Sequence, residues 1–187
     1  MNNNLLILCE GTYGSVVKEI AESSKCYEQI TVLTSRYGTE AADANYHEIG
    51  EGNINDYEQY AGNYTYGIAV FEDAKERLAW TQKLIAEGFK IVSLVSPKAY
   101  VSPTAQIENG CVVEALAGVS ANVIVGSCSI IKMGALLDHD SIVAKACCCE
   151  NYCVVKTGAY VQPCRTISRY SVINSLEEDE KIRYDYN

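Results

Sequence analysis

Residues 125–161, written in blocks of six, read VGSCSI IKMGAL LDHDSI VAKACC CENYCV VKTGAY V. Every block opens on an aliphatic residue except the one that opens on Cys149. The spacing continues in both directions, and these positions are Val101, Ile107, Val113, Val119, Val125, Ile131, Leu137, Val143, Cys149, Val155, Val161, Ile167 and Ile173. So long a run with a fixed period indicates a repeat architecture.

A second column of small side chains has the same period and lies four residues after the first. Its members are Ala105, Cys111, Ala117, Ser129, Ala135, Ser141, Cys147, Cys153, Ala159 and Ser171. A bulky aliphatic and a small residue in each hexapeptide predict a triangular parallel β-helix, because three hexapeptides close one coil around a narrow core. Residues 101–172 then make four coils of 18 residues.

The first ninety-odd residues alternate short apolar runs with helical stretches. Strands are expected at 5–8, 30–33, 67–71 and 91–94, and helices near 15–24 and 74–87. The alternation predicts a Rossmann-like α/β domain with a small parallel sheet. We assign this domain to residues 1–96, the β-helix to residues 97–175 and an acidic tail to residues 176–187.

The second predicted helix carries its own boundary signals. Asp73 and Glu76 have the spacing of a capping box, and Gly88 suits the position after the helix end. Its apolar stripe is read as Ala74, Leu78, Thr81 and Ile85. Residues 36–63 are polar and predict a loop with a short helix at 56–60.

Composition excludes several functions. A net charge of −9 opposes phosphate attraction and argues against nucleic-acid binding. No apolar run is long enough to span a membrane and no basic leader precedes the first strand, so a cytoplasmic protein is expected. The nine cysteines are then reduced, and Cys147, Cys149 and Cys153 fall on inward columns as small apolar residues, whereas Cys148 falls on an outward column. We expect no metal site.

His139 is the candidate for acid-base chemistry. It lies two residues after the inward Leu137 and is flanked by Asp138 and Asp140, which raise the basicity of an imidazole and fix its tautomer. Thr157 follows 18 residues later, with Gly158 next, so a backbone amide is expected one strand spacing from His139. The alternative is a surface histidine beside two solvated acids.

Basic residues concentrate in the last coils of an acidic chain. Residues 141–175 contain four basic side chains and one acidic side chain, which are Lys145, Lys156, Arg165 and Arg169 with Glu150. This local excess indicates an anionic ligand, or else a solvated basic patch.

The hexapeptide period, the sequence GALLDHDS at 134–141 and the linker VSPKAYVSPTA at 95–105 resemble the hexapeptide-repeat acetyltransferases of nucleotide-sugar metabolism. That family includes sialic-acid O-acetyltransferases and N-acetyltransferases of UDP-linked amino sugars. The resemblance implies a left-handed β-helix and a homotrimer, as the apolar outward columns also suggest. It implies acetyl-CoA as co-substrate and a sugar or nucleotide sugar as acceptor.

The resemblance also implies roles for particular residues. His139 would be the general base, assisted by Asp140. Acetyl-CoA would lie along Thr157, Gly158 and Ala159, with Cys148 at the position where the family has a second histidine. The acceptor would bind at the first loop, through Gly11, Thr12 and Tyr13, and at the end of the second strand, through Thr34 and Ser35.

The sequence departs from the family pattern at several of these positions. The first loop reads Cys9-Glu10-Gly11-Thr12-Tyr13-Gly14 and lacks the first glycine, and Thr34-Ser35 replaces a pair of aspartates. Asn151-Tyr152 replaces proline and glycine. The alternative function is therefore a catalytically inactive trimeric binding or scaffold protein. An NAD-dependent dehydrogenase is disfavoured, because no acidic residue ends the second strand.

Overall fold

The computed structural model describes residues 2–35 and 52–174, which form an α/β domain followed by a parallel β-helix. The first domain has a five-stranded parallel sheet in the order β3-β2-β1-β4-β5. Its strands are β1 (Asn4–Cys9), β2 (Gln29–Thr34), β3 (Gly52–Asn53), β4 (Tyr66–Val70) and β5 (Lys90–Ile91). Its helices are α1 (Tyr13–Ser24), a 3-10 helix (Ile54–Tyr60) and α2 (Ala74–Ala86). The predicted α/β class is confirmed.

Helix α1 packs closely on the sheet because Gly14 has no side chain. A Cβ atom at this position would lie 2.5 Å from Cys9 Sγ and 2.9 Å from a methyl carbon of Val32. The glycine therefore sets the distance between the helix and strands β1 and β2.

Helix α2 begins and ends as predicted, and its buried face matches the predicted stripe only in part. The Asp73 side chain accepts a hydrogen bond from the Glu76 amide at 2.8 Å, and Gly88 follows the helix in the left-handed region with φ 86°. The predicted stripe is wrong at Ile85, which is 49% exposed. Thr81 of the predicted stripe is buried, together with Arg77, Trp80 and Leu84, whereas Ala74 and Leu78 are half-buried.

The predicted strand at 91–94 is divided between the two domains. Lys90–Ile91 ends the α/β sheet, whereas Leu94–Val95 pairs with Val112–Val113 as the first strand of the β-helix. The domain boundary predicted after residue 96 therefore falls inside the first coil. The acidic tail predicted at 176–187 lies outside the described residues.

The β-helix has three parallel sheets, which we call the first, second and third faces. The first face contains β6 (Leu94–Val95), β9 (Val112–Val113), β12 (Ile130–Ile131), β15 (Cys148–Cys149) and β18 (Thr166–Ile167). The second contains β7 (Tyr100–Val101), β10 (Gly118–Val119), β13 (Leu136–Leu137), β16 (Val154–Val155) and β19 (Val172–Ile173). The third contains β8 (Gln106–Ile107), β11 (Ile124–Val125), β14 (Ile142–Val143) and β17 (Tyr160–Val161).

Both hexapeptide columns form the core of the β-helix, as predicted. From Cys111 to Ala159 the aliphatic and small columns are buried, and Cys147, Cys149 and Cys153 are fully buried among them. All nine cysteines are free. The cysteine cluster therefore acts as packing for the narrow interior.

The α/β domain covers the first face. Val112, Ile130 and Cys148 point outward from that face into a cluster with Val17 and Ile20 of helix α1. The second face carries Tyr100, Leu136 and Val172, which are 64%, 43% and 48% exposed. In residues 2–35 and 52–174, no helix has the length and apolar character needed to cross a membrane.

Candidate active site

His139 lies in the turn at residues 138–141, between strands of the second and third faces. We call the stack of turns at 120–123, 138–141 and 156–159 the His139 corner. Asp140 adopts a left-handed backbone with φ 58°, and Asn122 and Gly158 do the same one coil before and after. The corner repeats every 18 residues, so side chains of three successive coils meet around His139.

Asp140 fixes the orientation and tautomer of the imidazole. Its Oδ2 lies 2.7 Å from His139 Nδ1, and its Oδ1 accepts a hydrogen bond from Asn122 Nδ2 at 2.9 Å. An ionised carboxylate only accepts, so Nδ1 carries the hydrogen and Nε2 of the neutral ring has a free lone pair. The contact with Asp140 raises the pKa of His139, and the contact with His139 lowers the pKa of Asp140.

Asp138 joins His139 to the following coil. Its Oδ1 accepts from the His139 amide at 2.8 Å, and its Oδ2 accepts from the Thr157 hydroxyl at 2.7 Å. The Thr157 hydroxyl also lies 3.3 Å from His139 Nε2. The hydrogen bond from Thr157 is the largest cause of a lowered pKa at Asp138. Asp138, His139, Asp140 and Thr157 therefore form one cluster on an accessible corner.

The residues expected along acetyl-CoA differ in their accessibility. Thr157 and Gly158 are exposed, and a Cβ at Gly158 would meet no atom within 4 Å. The Thr157 backbone amide contributes to the lowered pKa of the Asp138 carboxyl, and the Gly158 amide donates a hydrogen bond to the His139 carbonyl at 3.3 Å. Ala159 is 1% exposed, and its amide and carbonyl bond to Lys156 and Ile142. The structure does not support a cofactor contact at Ala159.

Cys148 is not near His139. It projects from the first face into the interface with the α/β domain, where it is 6% exposed and where burial raises the pKa of its thiol to about 11. The His139 corner joins the other two faces. The predicted cofactor contact at Cys148 is therefore not supported, and the residue instead packs the domain interface.

The expected acceptor residues meet at one edge of the α/β sheet. Cys9 pairs with Thr34, and the Ser35 amide donates to the Cys9 carbonyl at 3.2 Å, so the loop after β1 and the end of β2 are adjacent. Gly11 turns this loop with φ 58°. Thr12 and Ser35 are exposed, whereas Thr34 is buried.

Tyr13 is directed away from this edge. Its hydroxyl donates to Glu114 Oε1 at 2.5 Å, and Glu114 Oε2 accepts from the Met133 amide at 3.0 Å. Burial and the Glu114 charge raise the pKa of Tyr13 well above its usual value. Tyr13 therefore links the first loop to the β-helix, and its hydroxyl is already occupied by Glu114.

The basic residues of the last coils do not form one patch. Lys156 lies at the His139 corner, Lys145 and Arg165 at the corner between the third and first faces, and Arg169 at the corner between the first and second. Only Lys156 of these four shares a corner with His139. Among the described residues, no group of three histidine, cysteine or acidic side chains could hold a metal ion.

Two residues of the site and its surroundings are not predicted from the sequence. Asn122 supports Asp140, and its only sequence signal is its position 18 residues before Asp140. Arg77 on α2 is fully buried and reaches the β-helix, where Nε donates to the Cys128 carbonyl and Nη2 to the Ala146 carbonyl. Nothing in the helix pattern marks this role.

Solved structures with this architecture include sugar N-acetyltransferases. A histidine-to-asparagine mutant of perosamine N-acetyltransferase from Caulobacter crescentus, in complex with CoA and GDP-perosamine, aligns with a TM-score of 0.71 at 20% identity. The alignment covers 90% of this chain and 84% of that chain. The chain has the fold of these acetyltransferases. The β-helix is therefore of their left-handed, hexapeptide-repeat type, as predicted.

Two further structures share this fold. The acetyltransferase domain of PglB from Neisseria gonorrhoeae has a TM-score of 0.65 at 23% identity, covering 93% of this chain and 95% of that chain. WeeI from Acinetobacter baumannii has a TM-score of 0.51 at 10% identity, with 90% and 94% covered. No protein-family model and no curated protein sequence matches the chain.

Proposed function

We propose that the protein transfers an acetyl group from acetyl-CoA to an amino or hydroxyl group of a sugar or nucleotide sugar, with His139 as the general base. The observation that carries this proposal is the 2.7 Å contact between His139 Nδ1 and Asp140 on an exposed corner of the β-helix. The contact leaves Nε2 free to accept a proton. The shared fold supports the same reaction, because similar structures were solved with CoA and GDP-perosamine or with acetyl-CoA.

The reaction needs no covalent enzyme intermediate. His139 Nε2 removes a proton from the acceptor as its nitrogen or oxygen attacks the thioester carbonyl of acetyl-CoA. Asp140 stabilises the imidazolium that results. The tetrahedral intermediate then collapses, the carbon–sulfur bond breaks, and the imidazolium returns its proton to the departing CoA thiolate. The Thr157 amide is the proposed oxyanion donor, and it would exchange its contact with Asp138 for one with the intermediate.

We place the acceptor at the edge formed by Gly11, Thr12, Thr34 and Ser35. Helix α1 begins beside this edge, and its N-terminus favours a phosphate-bearing ligand, although the Glu10 carboxylate of the same loop opposes one. Because Tyr13 is bonded to Glu114, we assign it the positioning of this loop. Thr12 and Ser35 are the exposed residues that would contact the ligand.

A homotrimer is part of the proposal. The α/β domain covers the first face, whereas His139 lies at the opposite corner of the triangular β-helix. An acceptor held by one chain would therefore reach His139 of a neighbouring chain. Exposed apolar residues on the second face, such as Leu136, support such a contact.

Sedimentation of the wild-type protein should give a trimer. Leu136→Glu should dissociate the trimer, whereas Ile85→Glu, on the exposed surface of α2, should preserve it.

Mass spectrometry of acetyl transfer tests the activity without interference from the nine thiols. Wild-type protein is incubated with acetyl-CoA and a panel of UDP-, dTDP- and GDP-amino sugars, sialic acid and CMP-sialic acid. We expect one acetylated product, and a loss of about 10²- to 10⁴-fold in His139→Ala. His47→Ala, which changes the other histidine, is the control. Full activity in His139→Ala would rule out His139 as the base.

A catalytically inactive trimeric scaffold is the second candidate. The observations that favour it are the burial of Cys148 in the domain interface and the engagement of Tyr13 by Glu114. An intact trimer that acetylates no acceptor of the panel would favour this function. The free thiols of all nine cysteines fit a reducing compartment, and we place either function in the cytoplasm.

A further inference from the structure

We propose that Thr157 and Asp138 act together as positioning residues for the base: Asp138 holds the proton of the Thr157 hydroxyl, which keeps His139 Nε2 free until it receives a proton. This inference rests on the proposed role of His139. It gives the Thr157 side chain a task separate from any contact between its backbone and acetyl-CoA.

The geometry puts the Thr157 hydroxyl between two possible acceptors. Its oxygen lies 2.7 Å from Asp138 Oδ2 and 3.3 Å from His139 Nε2. A hydroxyl has one hydrogen to donate. The shorter contact, to an ionised oxygen, takes that hydrogen because charge-assisted hydrogen bonds are the stronger kind.

The direction of the Thr157 hydroxyl hydrogen determines whether a hydrogen or a lone pair faces His139 Nε2. In the neutral ring, Nδ1–H donates to Asp140 and the Thr157 oxygen presents only lone pairs to Nε2. No hydrogen of Thr157 therefore competes with the acceptor for the Nε2 lone pair. Once Nε2 is protonated, Nε2–H can donate to the Thr157 oxygen, whose own hydrogen stays on Asp138. The imidazolium then has an acceptor at each nitrogen.

The fold holds these atoms in place. Asp138 is anchored from its other oxygen by the His139 amide at 2.8 Å, and Thr157 lies one coil later, where Asp138 accepts its hydroxyl. The groups that face His139 are the carboxylates of Asp138 and Asp140 in its own turn and the neutral side chain of Thr157 in the next coil. Asn122, from the preceding coil, reaches Asp140. The two carboxylates raise the pKa of His139.

The test is an NMR titration of the His139 ring in the full-length His47→Gln protein, where it is the remaining histidine. We expect Thr157→Val to lower the pKa of His139 by about half a pH unit, because Nε2–H loses its acceptor. Thr157→Ser, which keeps the hydroxyl, should restore the wild-type value. Asp138→Asn should lower the pKa as well. In a Thr157→Val background, Asp138→Asn should lower the pKa of His139 by less, because part of the influence of Asp138 depends on its hydrogen bond with the Thr157 hydroxyl.

Other results would overturn the inference. An unchanged or higher pKa in Thr157→Val would show that the hydroxyl does not stabilise the protonated ring. Equal effects of Asp138→Asn in the threonine and valine backgrounds would show that Asp138 acts on His139 by charge alone. Thr157 is exposed, so these variants are expected to fold, and circular dichroism checks that they do.

The titration needs no substrate, so it separates this inference from the proposed function. Absence of acetyl transfer by the wild type would contradict the function and leave the titration result standing. Where transfer is observed, Thr157→Val should move the acidic limb of kcat/KM to lower pH by the same amount as the NMR titration. A structural defect alone would lower the rate without moving this limb.

Discussion

The guanidinium of Arg77 binds the backbone carbonyl of Ala146, with Nη2 and the carbonyl oxygen 2.8 Å apart. Arg77 belongs to helix α2 of the α/β domain, and Ala146 belongs to the third coil of the β-helix. The same side chain also donates to the carbonyls of Cys128 and of Phe71. Arg77 is fully buried, and burial lowers its pKa. The two domains are therefore joined by a charged side chain whose partners are backbone carbonyls.

Replacement of Arg77 by methionine should destabilise the protein. The change leaves carbonyls of both domains buried without donors, at a cost of about 2 to 4 kcal/mol. Chemical denaturation would measure this loss as a lower midpoint. Lys75→Met, an exposed change on the same helix, is the control and should leave the midpoint within experimental error. A midpoint for Arg77→Met equal to that of the control would contradict the structural role of Arg77.

Tyr13→Phe tests the link between the first loop and the β-helix. Loss of the hydroxyl removes the hydrogen bond to Oε1 of the buried Glu114 carboxylate and leaves that from the Met133 amide to Oε2, which should cost about 1 to 3 kcal/mol in the free energy of unfolding. If Tyr13 positions the loop, KM for the acceptor should rise while KM for acetyl-CoA stays constant. Urea denaturation and two-substrate kinetics measure the two effects. An equal rise in both KM values would contradict the loop role.

Asp140→Asn should change the pH dependence of transfer. A base acts in its neutral form, so the rate rises as the pH passes upward through the pKa of His139. Asp140 raises that pKa, which places the inflection above the ordinary histidine value of about 6.5. The asparagine variant should move the inflection to lower pH and reduce kcat by about tenfold or more.

The control for Asp140→Asn is Glu87→Gln, which removes an exposed carboxylate of the α/β domain. It should leave both the inflection and kcat unchanged. An inflection in Asp140→Asn at the wild-type pH would mean that Asp140 does not set the basicity of His139.

Gly126→Ala should destabilise the β-helix by a clash. The added Cβ would lie 2.6 Å from the Lys145 nitrogen and 2.7 Å from the Ala144 carbonyl carbon, which are backbone atoms of the next coil. Overpacking of this kind costs about 1 to 3 kcal/mol. In Gly158→Ala the Cβ meets nothing within 4 Å, but φ is 67°, so only backbone strain of about 1 to 2 kcal/mol is added.

Gly126→Ala and Gly158→Ala together distinguish the effect of a steric clash from the effect of backbone strain. Thermal unfolding of both variants should show the larger loss for Gly126→Ala, and Gly62→Ala, also at positive φ with open space, should behave like Gly158→Ala. A smaller loss for Gly126→Ala would mean that the coils move apart to accommodate the methyl group.

The repeat made the β-helix predictable because each position in a coil has one environment. The period alone assigned Val143 and Cys147 to the interior, and both are fully buried. It also put Thr157 beside His139, because partners in neighbouring coils are 18 residues apart. Local capping rules likewise gave both ends of α2.

Contacts between the domains could not be predicted in this way. Arg77 is buried because carbonyls 51 and 69 residues later accept its hydrogen bonds, and no local pattern reports them. Ile85, which belongs to the predicted apolar stripe of the same helix, faces solvent. Cys148 was correctly placed on an outward column, but the helix that covers it comes from the other domain.

The pairing of residues 18 apart has a consequence for how such a chain can change in length. Val119 pairs with Leu137, and Leu137 with Val155, so each position around the axis is the remainder left when a residue number is divided by 18. Gain or loss of a whole coil keeps every later residue at its own azimuth. Loss of six residues before His139 would carry the imidazole a third of a turn, towards the α/β domain. The β-helix can therefore lengthen or shorten by whole coils, while the direction in which His139 points from the axis stays fixed.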